Sequence, residues 1–271
     1  MKNLIIDGNN FFYRGMITFG KPLVEEDHTV TYNFIRNVKA TVEQFFPDRV
    51  FIALEGHPVH RYALYPEYKA NRIIKVGEAK KADSKSIFNN ESKLILDMCQ
   101  HMPFALARHK DYEADDVINT LVAQMPDDDN IVVTGDTDYY QLLETSKAKV
   151  YNPNKKVFLE KFKYPYVVHK SLVGDKSDNI PRLVSDRRAE EILDNPDLLK
   201  EFLAEEESSA DFNINFELIK FKEVPLDSLE IEYNLLDMDY LKARWEQYKF
   251  PSLLKPSYLT AFTEVFEKLV Y

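Results

Sequence analysis

Glycine is scarce in this chain, with 7 among 271 residues. Together with 30% charged residues, that scarcity excludes a low-complexity or disordered polypeptide. Cysteine is almost absent. Cys99 stands alone, so no internal disulfide can form, and its setting in LILDMCQHM reads as a buried helical thiol suited to a reducing cytosol. No apolar run approaches the roughly 20 residues of a membrane span. The opening MKNLIID is too short an apolar run for a secretory signal and ends on an acid, so a cytoplasmic location without a membrane is expected. Positive charge is also short: the net charge is −10, which taken alone speaks against nucleic acid as a partner. What is present is 45% hydrophobic residues, enough for a real core, in a length that suits one large domain or a domain with a smaller appendage.

The charge average conceals a local exception. Residues 61–93 carry eight basic side chains (Arg61, Lys69, Arg72, Lys75, Lys80, Lys81, Lys85, Lys93) against four acids (Glu67, Glu78, Asp83, Glu91). A solvated charged face is the commoner origin of such a run. Here it lies in the same chain as three acid clusters: Glu113, Asp115 and Asp116 in YEADD, Asp136 and Asp138 in GDTD, and Asp175 and Asp178 in GDKSDN. Crowded acids repel one another unless cations lie between them. Hard divalent ions such as Mg²⁺ take oxygen ligands, keep several waters and suit phosphate chemistry. An acidic metal site beside a basic segment fits a polyanion that must be brought to metal ions.

Periodicity places these clusters. Residues 3–7, 49–54 and 130–134 read as buried strands, and 104–107 as a further short one. Helical spacing runs over 30–46, 86–102 and 112–125, with short helices at 60–70 and 139–143; 75–85 is polar, aperiodic and expected as a loop. Strands alternating with helices imply an α/β fold, a mostly parallel sheet with helices on both faces. A catalytic unit is expected over 1–165. Beyond it, 166–271 shows helical stretches and no buried strand, which reads as a smaller helical C-terminal domain. Ligands in such sheets bind beyond the carboxyl ends of the strands. Asp7, Glu55 and Asp136 each lie at or just past such an end, so chain order brings them to one rim.

Each acid has an ordinary alternative. Asp7 could cap the next element, Glu55 could be a loop acid, and Asp175 and Asp178 could form a turn and an N-cap. Glu113 to Asp116 could serve a helix dipole, although the i, i+3 spacing of Glu113 and Asp116 puts them on one face. Arg61, Lys69 and Arg72, in HRYALYPEYKANR, could be snorkelling surface cations. In the functional reading they contact phosphates, with Tyr62, Tyr65 and Tyr68 available for base stacking.

DGNN, PEYKANR, YEADD, TGDTDYYQLL and GDKSDNIP, in this order and spacing over residues 3–181, resemble the 5′-nuclease superfamily of flap endonucleases and 5′–3′ exonucleases. The C-terminal YNLLDMDYL and YKFPSLLKPSYLTAF look most like the T-even phage type of RNase H. The resemblance implies a PIN-like 5′-nuclease fold with a helical arch near 60–93. It also implies two Mg²⁺ ions, with Mn²⁺ as a substitute, and water attack leaving a 5′-phosphate and a 3′-hydroxyl. Asp7, Glu113, Asp115, Asp136 and Asp138 match its metal-binding acids, and Asp116, Asp175 and Asp178 its second-site or outer-sphere acids. Lys69 and Arg72 match its catalytic arch pair. Arg61, Tyr68, Lys75, Lys80 and Lys81 are the expected DNA contacts. DNA flaps and RNA–DNA hybrids are the implied partners of a monomer acting in replication, with a single-strand-binding protein or sliding clamp beside it. The chain departs from the pattern twice. Glu55 stands where the second strand ordinarily ends in Asp, and Arg182 replaces the glycine after SDNIP, which implies a degenerate helix–hairpin–helix. A PIN-like ribonuclease and a non-catalytic branched-DNA-binding protein are the alternatives.

Overall fold

The structure is a computed structural model that describes residues 1–16, 28–71 and 79–270, and for 79–85 the backbone only. The strands are β1 (Lys2–Asp7), β2 (Arg49–Leu54), β3 (Ala105–Arg108), β4 (Asp129–Val133), β5 (Lys149–Asn152), β6 (Val157–Phe158) and β7 (Glu230–Tyr233). They form one sheet in the order β6-β5-β4-β1-β2-β3-β7. The five inner strands run parallel, while β6 and β7 close the edges antiparallel.

The continuous apolar runs of β1, β2 and β4 follow from burial on both faces, as parallel sheets require. Leu4 and Ile6 enter one core with Ile52 and Val133, and Ile5 enters the other with Phe51 and Val132. The first core is covered by α1 (Gly8–Gly15), α2 (Thr29–Phe45) and residues Ile95 to Met102 at the end of α4 (Ala79–Cys99), which follows the short α3 (Val59–Leu64). The second core is covered by α5 (Ala114–Gln124) and α6 (Tyr140–Thr145). Cys99 is fully buried, and burial drives its thiol far above the ordinary range, so it is an inert core residue.

Beyond β6 the chain divides differently from the single helical unit expected over 166–271. Helices α7 (Tyr166–Val173), α8 (Asp186–Asp194), α9 (Pro196–Ala204) and α10 (Glu206–Ile219) pack around Leu172, Ala189, Ile192 and Phe212. Residues after Ile219 return to the sheet. β7 pairs with β3, and α11 (Met238–Gln247) and α12 (Pro256–Phe266) put Leu241, Trp245, Phe262 and Phe266 into the first core. The expected loop at 75–85 is corrected in part. Helix α4 already begins at Ala79, because AKKADSK is rich in strong helix formers even without an apolar face. Gly8, Asn9 and Asn10 of the DGNN motif form the first turn of α1. Among the described residues, no helix is long and apolar enough to cross a membrane.

Candidate active site

The carboxyl ends of β1, β2 and β4 bring the first acids together. Asp7, the last residue of β1, caps α1: its Oδ1 accepts the Asn10 amide at 3.1 Å. Its Oδ2 accepts the Thr134 hydroxyl at 3.0 Å and the Tyr139 hydroxyl at 3.4 Å. The capping alternative is therefore true and incomplete, since the second oxygen ties the end of β1 to the loop after β4. Glu55 follows β2 at a tight crossing. Gly56 donates to Tyr112 O at 2.9 Å, and a Cβ there would stand 2.0 Å from His109 O, so the crossing excludes a side chain. That crossing sets the Glu55 carboxylate on the N-terminus of α5, where it accepts the Ala114 amide at 2.7 Å.

Glu113 is the N-cap of α5 and forms a reciprocal capping box with Asp116. Oxygens of Glu113, Asp115 and Asp116 lie within 4.8 Å of one another. Arg61 of α3 is driven into this triad. It donates to Glu113 at 2.7 Å, to Asp116 at 2.6 and 2.9 Å, and through Nε to Leu218 O at 2.9 Å. Arg61 is 1% exposed, so its expected contact with DNA is corrected: it is the internal counter-ion of the triad. Asp116 is fully buried, with Oδ1 also accepting the Lys222 amide. Tyr68, 3% exposed, is corrected likewise. Its hydroxyl donates to Glu113 at 2.9 Å and to Asp178 at 3.2 Å, which leaves its ring no place to stack on a base.

Lys69 sits on the rim between Glu113 and Asp178. Its ammonium is bonded to Glu113 and lies 3.6 Å from Asp178. Its backbone has φ +56°, a conformation held by the Lys69 amide on Asp178 O at 2.8 Å. Asn179 donates to Glu67 O at 2.8 Å and Asn71 to Lys176 O, so residues 67–71 are clasped to the GDKSDN turn. Arg72 and Lys75 lie outside the described residues. Lys80 and Lys81 belong to the first turns of α4, and their side chains also lie outside.

The second acid group follows β4. Asp136 is exposed and accepts the Asp138 amide at 2.9 Å. Asp138 accepts the Tyr166 hydroxyl at 2.7 Å. Asp175 accepts Ser177 N at 2.6 Å, which is the turn expected as its ordinary role, and its other oxygen takes Lys170 Nζ at 2.6 Å. Tyr166 and Lys170 are one turn apart on α7, which ends at Gly174 with φ +70°. An Asp175–Ile180 bridge then closes the hairpin toward α8, and Arg182 pairs with Asp186 rather than blocking the turn. Neither Tyr166 nor Lys170 was expected at the site. Their i, i+4 spacing beside VGDKSD was the available signal.

Electrostatics joins the groups. Burial, with repulsion from Asp136, pushes the Asp7 carboxyl up to about 6. Enclosure, with Glu113 and Asp7 nearby, pushes Glu55 up to about 7. Burial and Asp136 push Asp138 up to about 7, and burial with Asp116 drives Asp115 well above the usual range. Glu113 is held below that range although burial opposes it, because Lys69 and Arg61 outweigh the burial. The site is thus short of positive charge, and every donor is a hard oxygen, which fits divalent ions. Raised folded-state values mean that the metal-free native state binds more protons than the unfolded chain. These acids should therefore lower stability as pH rises from about 4 to about 7, and a divalent ion should restore it. Thermal unfolding at pH 5 and pH 7.5, with chelator or with Mg²⁺, checks this. A melting temperature insensitive to Mg²⁺ at pH 7.5 would contradict it.

The same residues place the chain among known proteins. A family model for the 5′–3′ exonuclease N-terminal resolvase-like domain matches residues 2–171. The DNA polymerase I of Caldicellulosiruptor bescii is 29% identical over 224 residues, covering 74% of this chain and 25% of that protein, so the chain spans about a quarter of its length. Among solved structures, the T5 D15 protein co-crystallised with metal ions superposes with a TM-score of 0.67 at 16% identity over 99% of each chain. Flap endonuclease-1 from Methanococcus jannaschii superposes with a TM-score of 0.65 at 15% identity, covering 99% of this chain and 92% of that one. The chain belongs to the 5′–3′ exonuclease family, within the 5′-nuclease superfamily.

Proposed function

We propose that the chain is a Mg²⁺-dependent, structure-specific 5′–3′ exonuclease and flap endonuclease. It would hydrolyse phosphodiesters of flapped DNA and RNA–DNA primers during replication and leave a 5′-phosphate and a 3′-hydroxyl. The observation that carries this reading is the convergence of Asp7, Glu55, Glu113, Asp115, Asp136, Asp138 and Asp175 at one rim, with Lys69 held between Glu113 and Asp178. Asp7, Glu55, Asp115 and Asp136 are the acids suited to a first ion, and Asp138 and Asp175 to a second. Divalent ions held there supply a more acidic attacking water and charge neutralisation at the leaving oxygen.

The remaining steps belong to the chain. Thr134, Tyr139 and Asn10 fix the Asp7 carboxylate, and Tyr166 fixes Asp138, so the oxygen donors are set before substrate arrives. Lys69 leaves Glu113 for the scissile phosphate and stabilises its growing negative charge; the same role is proposed for Arg72. The clasp between 67–71 and the GDKSDN turn keeps Lys69 at the rim. The helical region after residue 165 would hold duplex DNA together with Lys69 and Arg72, with less reliance on the degenerate hairpin at 174–185. The chain would act as a monomer, beside a single-strand-binding protein or a sliding clamp.

Lys69→Ala tests the arch assignment. Preorganised charges at a developing oxyanion are typically worth ~3–4 kcal/mol, so single-turnover cleavage should fall by ~10²-fold or more while affinity changes much less. A loss confined to affinity and abolished at saturating DNA would make Lys69 a backbone contact only.

A further inference from the structure

The second acid group already contains a cation of the protein's own. Lys170 Nζ is 2.6 Å from Asp175 Oδ2 and 3.8 Å from Asp138 Oδ1, with 18% of its side chain exposed. The same two acids also take donors from the chain. Tyr166 donates to Asp138 Oδ1, and Ser177 donates to Asp175 Oδ1 through both N and Oγ. The ammonium thus bridges two acids from different loops, as a divalent ion would. It comes from α7, whose other neighbouring side chain, Tyr166, binds the same Asp138 oxygen.

An ammonium so close weakens the hold of these oxygens on a second cation. An ammonium is a compact point charge that donates along the lone pairs an incoming ion needs, and a divalent ion beside it would meet like-charge repulsion in a partly enclosed place. Lys69, bonded to Glu113 and 3.6 Å from Asp178, is assigned to the substrate phosphate instead.

We infer that Lys170 is a tethered cation that holds Asp138 and Asp175 in place of a divalent ion and must withdraw when that ion binds. The second ion therefore binds more weakly than the first in the absence of DNA. The inference rests on the metal-dependent reading above and adds a positioning residue that sets the occupancy of one site. An ordinary structural salt bridge would instead stabilise the protein equally with and without metal.

The test is Mn²⁺ binding to the full, DNA-free chain, followed by electron paramagnetic resonance of the free ion, together with thermal unfolding in chelator and in saturating Mn²⁺. Wild type should show one tighter and one weaker ion. Lys170→Met should tighten the weaker ion about tenfold or more and leave the tighter one unchanged, while Lys170→Arg stays near wild type. In chelator, Lys170→Met should melt below wild type, and saturating Mn²⁺ should close that gap. Lys170→Gln, which keeps a hydrogen bond to Asp175 without the charge, reports the same competition should the methionine variant fail to fold. Isotherms identical to wild type in the charge-free variants, or a melting deficit of equal size with and without Mn²⁺, would overturn the inference while leaving the metal-dependent reading standing. No bound Mn²⁺ in any variant or in wild type would overturn both.

Discussion

Asp136→Asn is expected to lower single-turnover cleavage by about 10³-fold or more while the protein stays folded. The structural duty of Asp136 is to accept the Asp138 amide, and an asparagine oxygen accepts the same bond. Its side chain is exposed at the rim, so the substitution leaves no cavity. What is lost is one anionic donor facing Asp7 and Asp138, the two acids whose values it raises. Charge stabilisation by a bound ion is worth several kcal/mol, and roughly 1.4 kcal/mol is tenfold in rate. Circular dichroism and DNA affinity should match wild type. Wild-type cleavage by Asp136→Asn would remove this loop from the catalytic centre.

The second large effect is on stability. Arg61→Met should cost about 3–5 kcal/mol, the usual loss when one partner of a buried ion pair is removed. At roughly 2–4 °C per kcal/mol for a domain of this size, the melting temperature should drop by on the order of 10 °C. Arg61 neutralises Glu113 and Asp116 at once and ties α3 to Leu218 at the end of α10. Methionine fills the space and leaves those carboxylates without their cation. Adding Asp116→Leu should recover part of the loss, because the two residues act as one unit. A variant that melts like wild type and loses only salt-dependent DNA affinity would restore Arg61 to the phosphate-binding role read from the sequence.

That reversal marks the limit of sequence reading here. The buried strands 3–7, 49–54 and 130–134 announce themselves by continuous apolar runs, and their carboxyl ends located the rim. In consequence, Asp7, Glu55 and the GDTD acids were legible as one constellation. Arg61 and Tyr68 read as surface residues because their local segment is polar and aromatic. Arg61 is drawn inward by acids some fifty residues away, and Tyr68 is covered by Ile180, Leu218 and Ile219, which no local pattern encodes. β7 was missed for a related reason: EIEY is mostly exposed, and it is a strand only because the edge of β3 offers it hydrogen bonds. The β5–β6 hairpin is similarly an edge feature, with Val157 and Phe158 about half exposed. Lys170 sits in a helix just before the expected GDKSDN acids, and only the folding of α7 against the Asp138 turn gives it a role.

The central claim is a metal-dependent attack on 5′ ends by this rim of carboxylates. It is tested most directly by incubating the protein with a 5′-labelled flap and with an RNA–DNA hybrid, with and without Mg²⁺, and sizing the products. Cleavage of both substrates is expected only when Mg²⁺ is present, with flap cuts near the junction and 3′-hydroxyl ends on the released strands. Binding of the flap without any Mg²⁺-dependent cleavage, or cleavage that continues in chelator, would contradict it.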